Sequence, residues 1–144
     1  MRRIVAICAM VLLLSSCSQK TAFEELADGV CSSEQKKLVE AHISSQIDAI
    51  AKQEWELAYS YASPGFRTGV AIEQFVFIIG AQYRMLVDNQ GYEFSGCTIA
   101  NEKLVQEIAV TSKDGLTNLT YILSVQNEKL GVDSATAAQP KLEA

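Results

Sequence analysis

The sequence predicts an α+β domain: three N-terminal helices packed on one face of a curved, antiparallel four-stranded meander sheet. Three observations predict it. Apolar residues recur at helical spacing from Val39 to Leu86. After Asp88-Asn89-Gln90-Gly91 the period switches to two. Helices grouped ahead of strands, rather than alternating with them, fit an α+β fold and not a parallel α/β sheet.

The first helix opens at Ser32, which with Gln35 three residues later fits a capping box. Val39, Ile43, Ile47 and Ile50 then form its core stripe. In the second helix Trp55, Ala58, Tyr59 and Ala62 share a face, and Ser63-Pro64-Gly65 ends it. The third is expected across Ile72–Leu86, with Ile72, Phe75, Val76, Ile79 and Tyr83 on one stripe. Phe77, Ile78, Ala81 and Met85 form a second stripe on nearly the opposite side, so both sides need covering.

The first strand starts at Tyr92-Glu93-Phe94-Ser95. Leu104, Ile108 and Val110 alternate with Val105, Glu107 and Ala109 in the second. Lys113-Asp114-Gly115 is a hairpin turn, because Asp-Gly readily takes positive φ. Leu119, Tyr121, Leu123 and Val125 line one face of the third strand. Gln126-Asn127-Glu128 turns the chain, and Leu130 and Val132 begin the fourth. From Ser134 the sequence becomes polar. The domain is bounded at 32–137, and 138–144 is a polar tail.

The N-terminus carries the targeting information. Arg2 and Arg3 precede an apolar run of 11 residues, Ile4 to Leu14, and then the small Ser15 and Ser16. That order is a secretory signal, and the run is too short to span a bilayer core of about 30 Å. The tetrad Leu14-Ser15-Ser16-Cys17 resembles the lipobox of bacterial lipoproteins. The resemblance implies that 1–16 is a removed signal peptide, that the Cys17 thiol receives a diacylglycerol, and that Cys17 becomes the first residue of the mature chain. It places the protein in the bacterial cell envelope, lipid-anchored, facing the periplasm or the outside of the cytoplasmic membrane. An ordinary secretory signal with a chance cysteine is the competing reading. Residues 17–31 are expected as lipidated terminus and tether; Ser18 to Val30, fully stretched, reaches roughly 40 Å.

Removing 1–16 takes away two arginines and no acid, so the net charge moves from −5 to −7. An acidic domain is repelled by an anionic bilayer, so the lipid rather than charge must hold it there. The same sign argues against nucleic acid as a partner. Of four cysteines, Cys8 leaves with the signal and Cys17 is the lipid site. Cys31 and Cys97 remain, either as a disulfide or as two buried thiols. No CxxC pair, metal-ligand spacing or phosphate loop is present, so no cofactor or metal is expected.

Ile47-Asp48-Ala49-Ile50-Ala51, Trp55, Ala58, Tyr59-Ser60-Tyr61-Ala62-Ser63-Pro64, Glu73-Gln74-Phe75 and Tyr83 resemble a bacterial domain-of-unknown-function family. So do Gln106 to Gly115 and Leu130-Gly131-Val132-Asp133. That family is placed by resemblance in the superfamily of nuclear transport factor two, SnoaL cyclases and ketosteroid isomerase. The resemblance implies a cone-like, cystatin/SnoaL-like fold with a pocket at its open end. The chain departs from the family at Leu130, where tryptophan is frequent, and in Cys31 and Cys97.

Catalytic members of such a superfamily use a buried acid or histidine base with a phenol or acid donor. Here the sole histidine, His42, flanks the first helix stripe; Asp48 sits at a polar helix position; and strand alternation points Asp133 at solvent. No acid–base pair shares a face, so the expectation is a non-enzymatic module. Two uses remain. Trp55, Tyr59, Phe75, Ile79 and Tyr121 are candidates to line a pocket for a small apolar ligand, or else to fill the core. Phe77, Ile78, Ala81 and Met85 are candidates for an interface with a second copy or with an envelope protein.

Overall fold

The computed structural model describes residues 21–138. The element order is β1 (Gly29–Val30), α1 (Ser33–Ala51), α2 (Trp55–Ser60), α3 (Pro64–Gly69), α4 (Ile72–Gln82), α5 (Arg84–Val87), β2 (Asn89–Ala100), β3 (Lys103–Ser112), β4 (Gly115–Gln126) and β5 (Lys129–Ala137). The α+β class stands, but the expected three helices and four strands do not. The sheet has five antiparallel strands in the order β1-β2-β3-β4-β5. The extra strand, β1, pairs Gly29 with Ile99 and Val30 with Thr98. Two residues have no period to detect, so the sequence gives no warning of it. The Cys31–Cys97 disulfide, with Cα atoms 5.5 Å apart, fastens it to the edge of β2.

The helical count differs for local reasons. Ser63-Pro64-Gly65 was expected only to stop a helix; it also starts one. The Ser63 hydroxyl accepts the Phe66 N–H at 3.1 Å, and Pro64 occupies the first turn of α3, where its missing N–H costs nothing. The expected Ile72–Leu86 helix breaks at Tyr83 (φ −123°, ψ 34°) into α4 and α5. Only α1 forms as expected, with Ser32 and Gln35 capping each other reciprocally.

The core lies between α1 and the inner sheet face. Val39, Ile43, Ile47 and Ile50 meet Leu104, Ile108 and Val110 of β3 and Leu119, Tyr121 and Leu123 of β4. Two hairpins turn on Asn101-Glu102 (φ 50° and 59°) and Asn127-Glu128 (φ 51° and 61°). Positive φ at both central residues supplies the twist that joins antiparallel strands tightly.

Three further expectations change. β5 runs through Ala137, so Ser134 begins no tail. The register slips between Ile122 and Leu123, whose partners are Ser134 and Val132, which leaves Asp133 as a β-bulge. Residues 21–31 are docked rather than a free tether. Gln35 Nε2 donates to Ala22 O at 2.9 Å, Asp28 accepts the Asn101 N–H at 2.9 Å, and Phe23 and Leu26 pack on the core. Residues 1–20, with the expected signal segment and lipidation site Cys17, and residues 139–144 of the expected polar tail lie outside the described residues.

Candidate ligand cavity

A half-open cavity of about 180 Å³ lies between the helices and the inner end of β4 and β5. Each wall has a local cause. Phe75, Ile78 and Ile79 reach it from one side of α4, and Phe66 reaches it from α3 because Ser63 and Pro64 start a helix there. Val132 and Ala62 close a third side, where the chain before α3 adds itself to the outer edge of β5. Ser63 N–H donates to Val132 O and Val132 N–H to Tyr61 O, both at 2.9 Å. That approach requires glycine at 131, since a Cβ there would sit 2.5 Å from Ser63 Cα.

The cavity is smaller than the roughly 300–1,000 Å³ of a drug-sized pocket. It is close to the roughly 150 Å³ that holds a benzene ring. Its aromatic lining is Phe66, Phe75, Tyr83 and Tyr121, with Phe66 and Phe75 edge-to-face at 6.2 Å.

The polar groups in the wall differ in how they are satisfied. The Tyr83 hydroxyl donates to Ala135 O. Asp133 accepts from Lys103 Nζ and from Ser124 Oγ, each at 2.8 Å. Burial pushes the Asp133 carboxyl up, but hydrogen bonds from Lys103, Ser63 and Ser124 and the Lys103 charge outweigh it and hold it below the usual range. Tyr121 is 1 % exposed, and its hydroxyl hydrogen-bonds to no described residue. Among the described residues, the one unpartnered side-chain polar atom fully sealed from solvent is Gln106 Oε1. The Tyr121 hydroxyl is therefore not sealed; it opens on the cavity it lines. Burial, with the neighbouring Tyr83 and Tyr92, pushes its phenol well above the ordinary value, so it stays protonated. Gln46 is 3 % exposed; its Nε2 donates to Ala58 O at 3.2 Å, which leaves the amide oxygen for the cavity.

Of the five residues expected to line a pocket, Phe75, Ile79 and Tyr121 do. Tyr59 does not: its one hydroxyl proton is shared between Val70 O at 2.6 Å and Arg67 O at 3.1 Å, bracing the α3–α4 junction. Trp55 is half-buried against the core on α2, away from the cavity. Asp133 borders the cavity through its place on β5, but its carboxylate points away from Val132 as alternation predicts, half-buried against Lys103 and Ser124 on the sheet face opposite Tyr121. Asp48 is exposed and accepts from the Tyr92 hydroxyl at 2.9 Å. His42 is half-buried and distant from these groups in role: its Nε2 donates to Tyr61 O at 2.9 Å, and burial lowers its pKa despite that bond.

The second stripe of α4 divides. Phe77 is 74 % exposed, and Ala81 is exposed beside it. Ile78 is half-buried in the cavity wall, and Met85 packs partly on the core. Gln46 and Phe66 were missed as lining residues. Gln46 had a signal, a polar residue three positions after Ile43 and four before Ile50 on the apolar stripe; Phe66 had none once α3 was missed. Among the described residues no group of three or more His, Cys, Asp or Glu could hold a metal, and no helix is long and apolar enough to cross a membrane.

This is an α+β domain with a small, mostly apolar cavity on the inner face of its sheet. Residues 32–142 match DUF4864, a domain of unknown function, and the chain belongs to that family. No curated protein and no solved structure matches it.

Proposed function

We propose that the chain is a lipid-anchored, non-enzymatic binding module of the bacterial cell envelope whose cavity holds a small, largely apolar molecule. One observation carries the binding reading: the Tyr121 hydroxyl, on a buried side chain and with no partner among the described residues, opens on an apolar cavity of about 180 Å³. A hydroxyl facing an apolar cavity is poorly solvated, and a ligand's polar atom would give it a full hydrogen bond, worth about 0.5–1.5 kcal/mol. The non-enzymatic part rests on the lining: among the described residues Asp133 is its one acidic member, its carboxylate is engaged by Lys103 and Ser124, and no histidine or second acid lies beside it there. The resemblance to the SnoaL-like superfamily belongs to the same proposal, supported by helices leading into an antiparallel meander.

The anchor reading rests on Leu14-Ser15-Ser16-Cys17. Because the chain is docked from Thr21 onward, four residue steps separate Cys17 from the domain and reach about 13 Å at most. The module therefore rides close to the bilayer rather than at the end of a long stalk. Palmitate labelling tests this: the chain takes the label and Cys17→Ala abolishes it. Label retained in that variant would overturn the anchor. Native mass spectrometry of the protein released from membranes tests the binding: a retained small-molecule mass is expected, and a clean apo mass at every detergent and voltage would sink the reading.

A second reading has its own observation. Phe77, at 74 % exposure beside Ala81, gives α4 an outward apolar face suited to a second copy or an envelope protein. Phe77→Glu tests it without touching the cavity. A change of oligomeric state with the fold intact supports the interface, and an unchanged monomer removes it.

A further inference from the structure

We infer that the cavity selects a small neutral aromatic molecule bearing a phenol-type hydroxyl, held by Tyr121 and Gln46. The inference rests on the binding reading above and names the ligand class. It starts from hydrogen-bond capacity. A tyrosine hydroxyl has one proton to donate, and an amide oxygen can only accept. At the cavity, the Tyr121 hydroxyl has no described partner, and the Gln46 amide oxygen is left over once Nε2 is committed to Ala58 O. One free donor and one free acceptor call for a head group that accepts from the first and donates to the second. A hydroxyl does both through one oxygen.

Charge narrows the class further. Among the described residues no lysine, arginine or histidine lines the cavity, so an anionic head would be buried without a counter-charge from them. The one acidic residue among the described lining residues, Asp133, has its carboxylate on the far face of the sheet, engaged by Lys103 at 2.8 Å, so it offers a cation no free charge. Neutral ligands remain. Shape and volume supply the rest. About 180 Å³ accommodates a single substituted ring. Phe66 and Phe75, edge-to-face, and Tyr83, whose hydroxyl is tied to Ala135 O, offer ring faces and edges without a competing free polar group.

The test uses the full chain, purified with its native lipid and held in nanodiscs, with empty discs subtracted. The probes are phenol, toluene and benzoate, titrated by calorimetry or followed by saturation-transfer NMR. Phenol is expected to bind about ten-fold tighter than toluene, the worth of one satisfied buried hydroxyl. Benzoate is expected not to bind over the same range. Tyr121→Phe should bring phenol down to the toluene level and leave toluene unchanged. If toluene binds as tightly as phenol, or if Tyr121→Phe leaves phenol unaffected, the head-group assignment is wrong while the cavity remains a ligand site. If none of the three binds, the cavity is not a ligand site and the inference goes with it.

Discussion

Gln106 on β3 and Tyr121 on β4 face each other in the strand register, on the same inner face of the sheet. Their polar ends meet different fates. Gln106 has Cys97 as its other cross-strand neighbour, where the disulfide fastens β1 down. Its Nε2 donates to Gly96 O at 3.1 Å and Glu107 O at 2.9 Å, while its Oε1 is sealed without a partner. Tyr121 looks the other way, into the cavity. The sealed oxygen is a cost that the disulfide end of the sheet absorbs through its other contacts. The open hydroxyl is a cost that a ligand can remove. An unsatisfied polar atom thus points to function only where something can reach it.

The largest expected effect lies at the sealed end. The disulfide closes a loop of 66 residues, and the chain-entropy account assigns such a loop about 4 kcal/mol. Reduction should lower the urea midpoint accordingly, measured with and without dithiothreitol under conditions where unfolding is reversible. An unchanged midpoint would mean that β1 contributes nothing to holding the edge of β2.

A pair of charge substitutions sharpens the comparison directly. Gln106→Glu forces a carboxylate into a site without water and should cost about 3 kcal/mol at neutral pH. Gln46→Glu puts the same charge beside a half-open cavity, which water can enter, and should cost about 1 kcal/mol. Both follow from chemical denaturation at pH 7. Equal losses would show that the cavity is as dry as the sealed site, and the distinction between the two ends would collapse.

His42 stands apart from both, being half-buried but satisfied by Tyr61 O. Burial depresses its pKa below the ordinary 6.5. The unfolded chain therefore takes up a proton first as the pH falls, so the stability from His42 is complete above about pH 6.5 and declines below it. A melting series from pH 7.5 to pH 5 should show that decline, and His42→Gln should flatten it. Asp133 acts in the same direction in a lower window, because its depressed carboxyl loses its contribution only as the pH falls below the usual carboxylate range. A decline between pH 6.5 and 5 that persists in His42→Gln would assign it to another group.

Long periodic elements were legible in the sequence. The α1 stripe with its Ser32–Gln35 cap, and the Leu119–Tyr121–Leu123 face of β4, form as their spacing predicts. So does the membership of Phe75, Ile79 and Tyr121 in one cavity, since each sits on the buried face of its element. What failed was short or irregular. β1 has two residues and α5 four, too few to show a period. Alternation places the Asp133 carboxylate on the outer face, where it is, but does not foresee the bulge there or the Lys103 and Ser124 partners that half-bury it. The spacing from Trp55 to Ala62 reads as one helical face and puts Trp55 and Tyr59 with the cavity, but α2 ends at Ser60 and Tyr59 turns to brace the loop at Val70.

The smallest expected effect bears most closely on the comparison. Tyr121→Phe removes one oxygen that hydrogen-bonds to no described residue and leaves the ring, buried to 99 %, in place. Deleting a satisfied buried hydroxyl ordinarily destabilises by about 1 kcal/mol, because its partner is left behind. Here no partner is left behind, so the empty protein should be unchanged or up to about 1 kcal/mol more stable. In the presence of phenol the order should reverse, because only the wild-type chain gains from a ligand that satisfies the hydroxyl. Thermal melts of both chains, with and without phenol, give the four values needed. A loss of stability in the empty variant would mean that the hydroxyl already has a bound water as its partner, and the cavity's free donor would then be that water's rather than the tyrosine's.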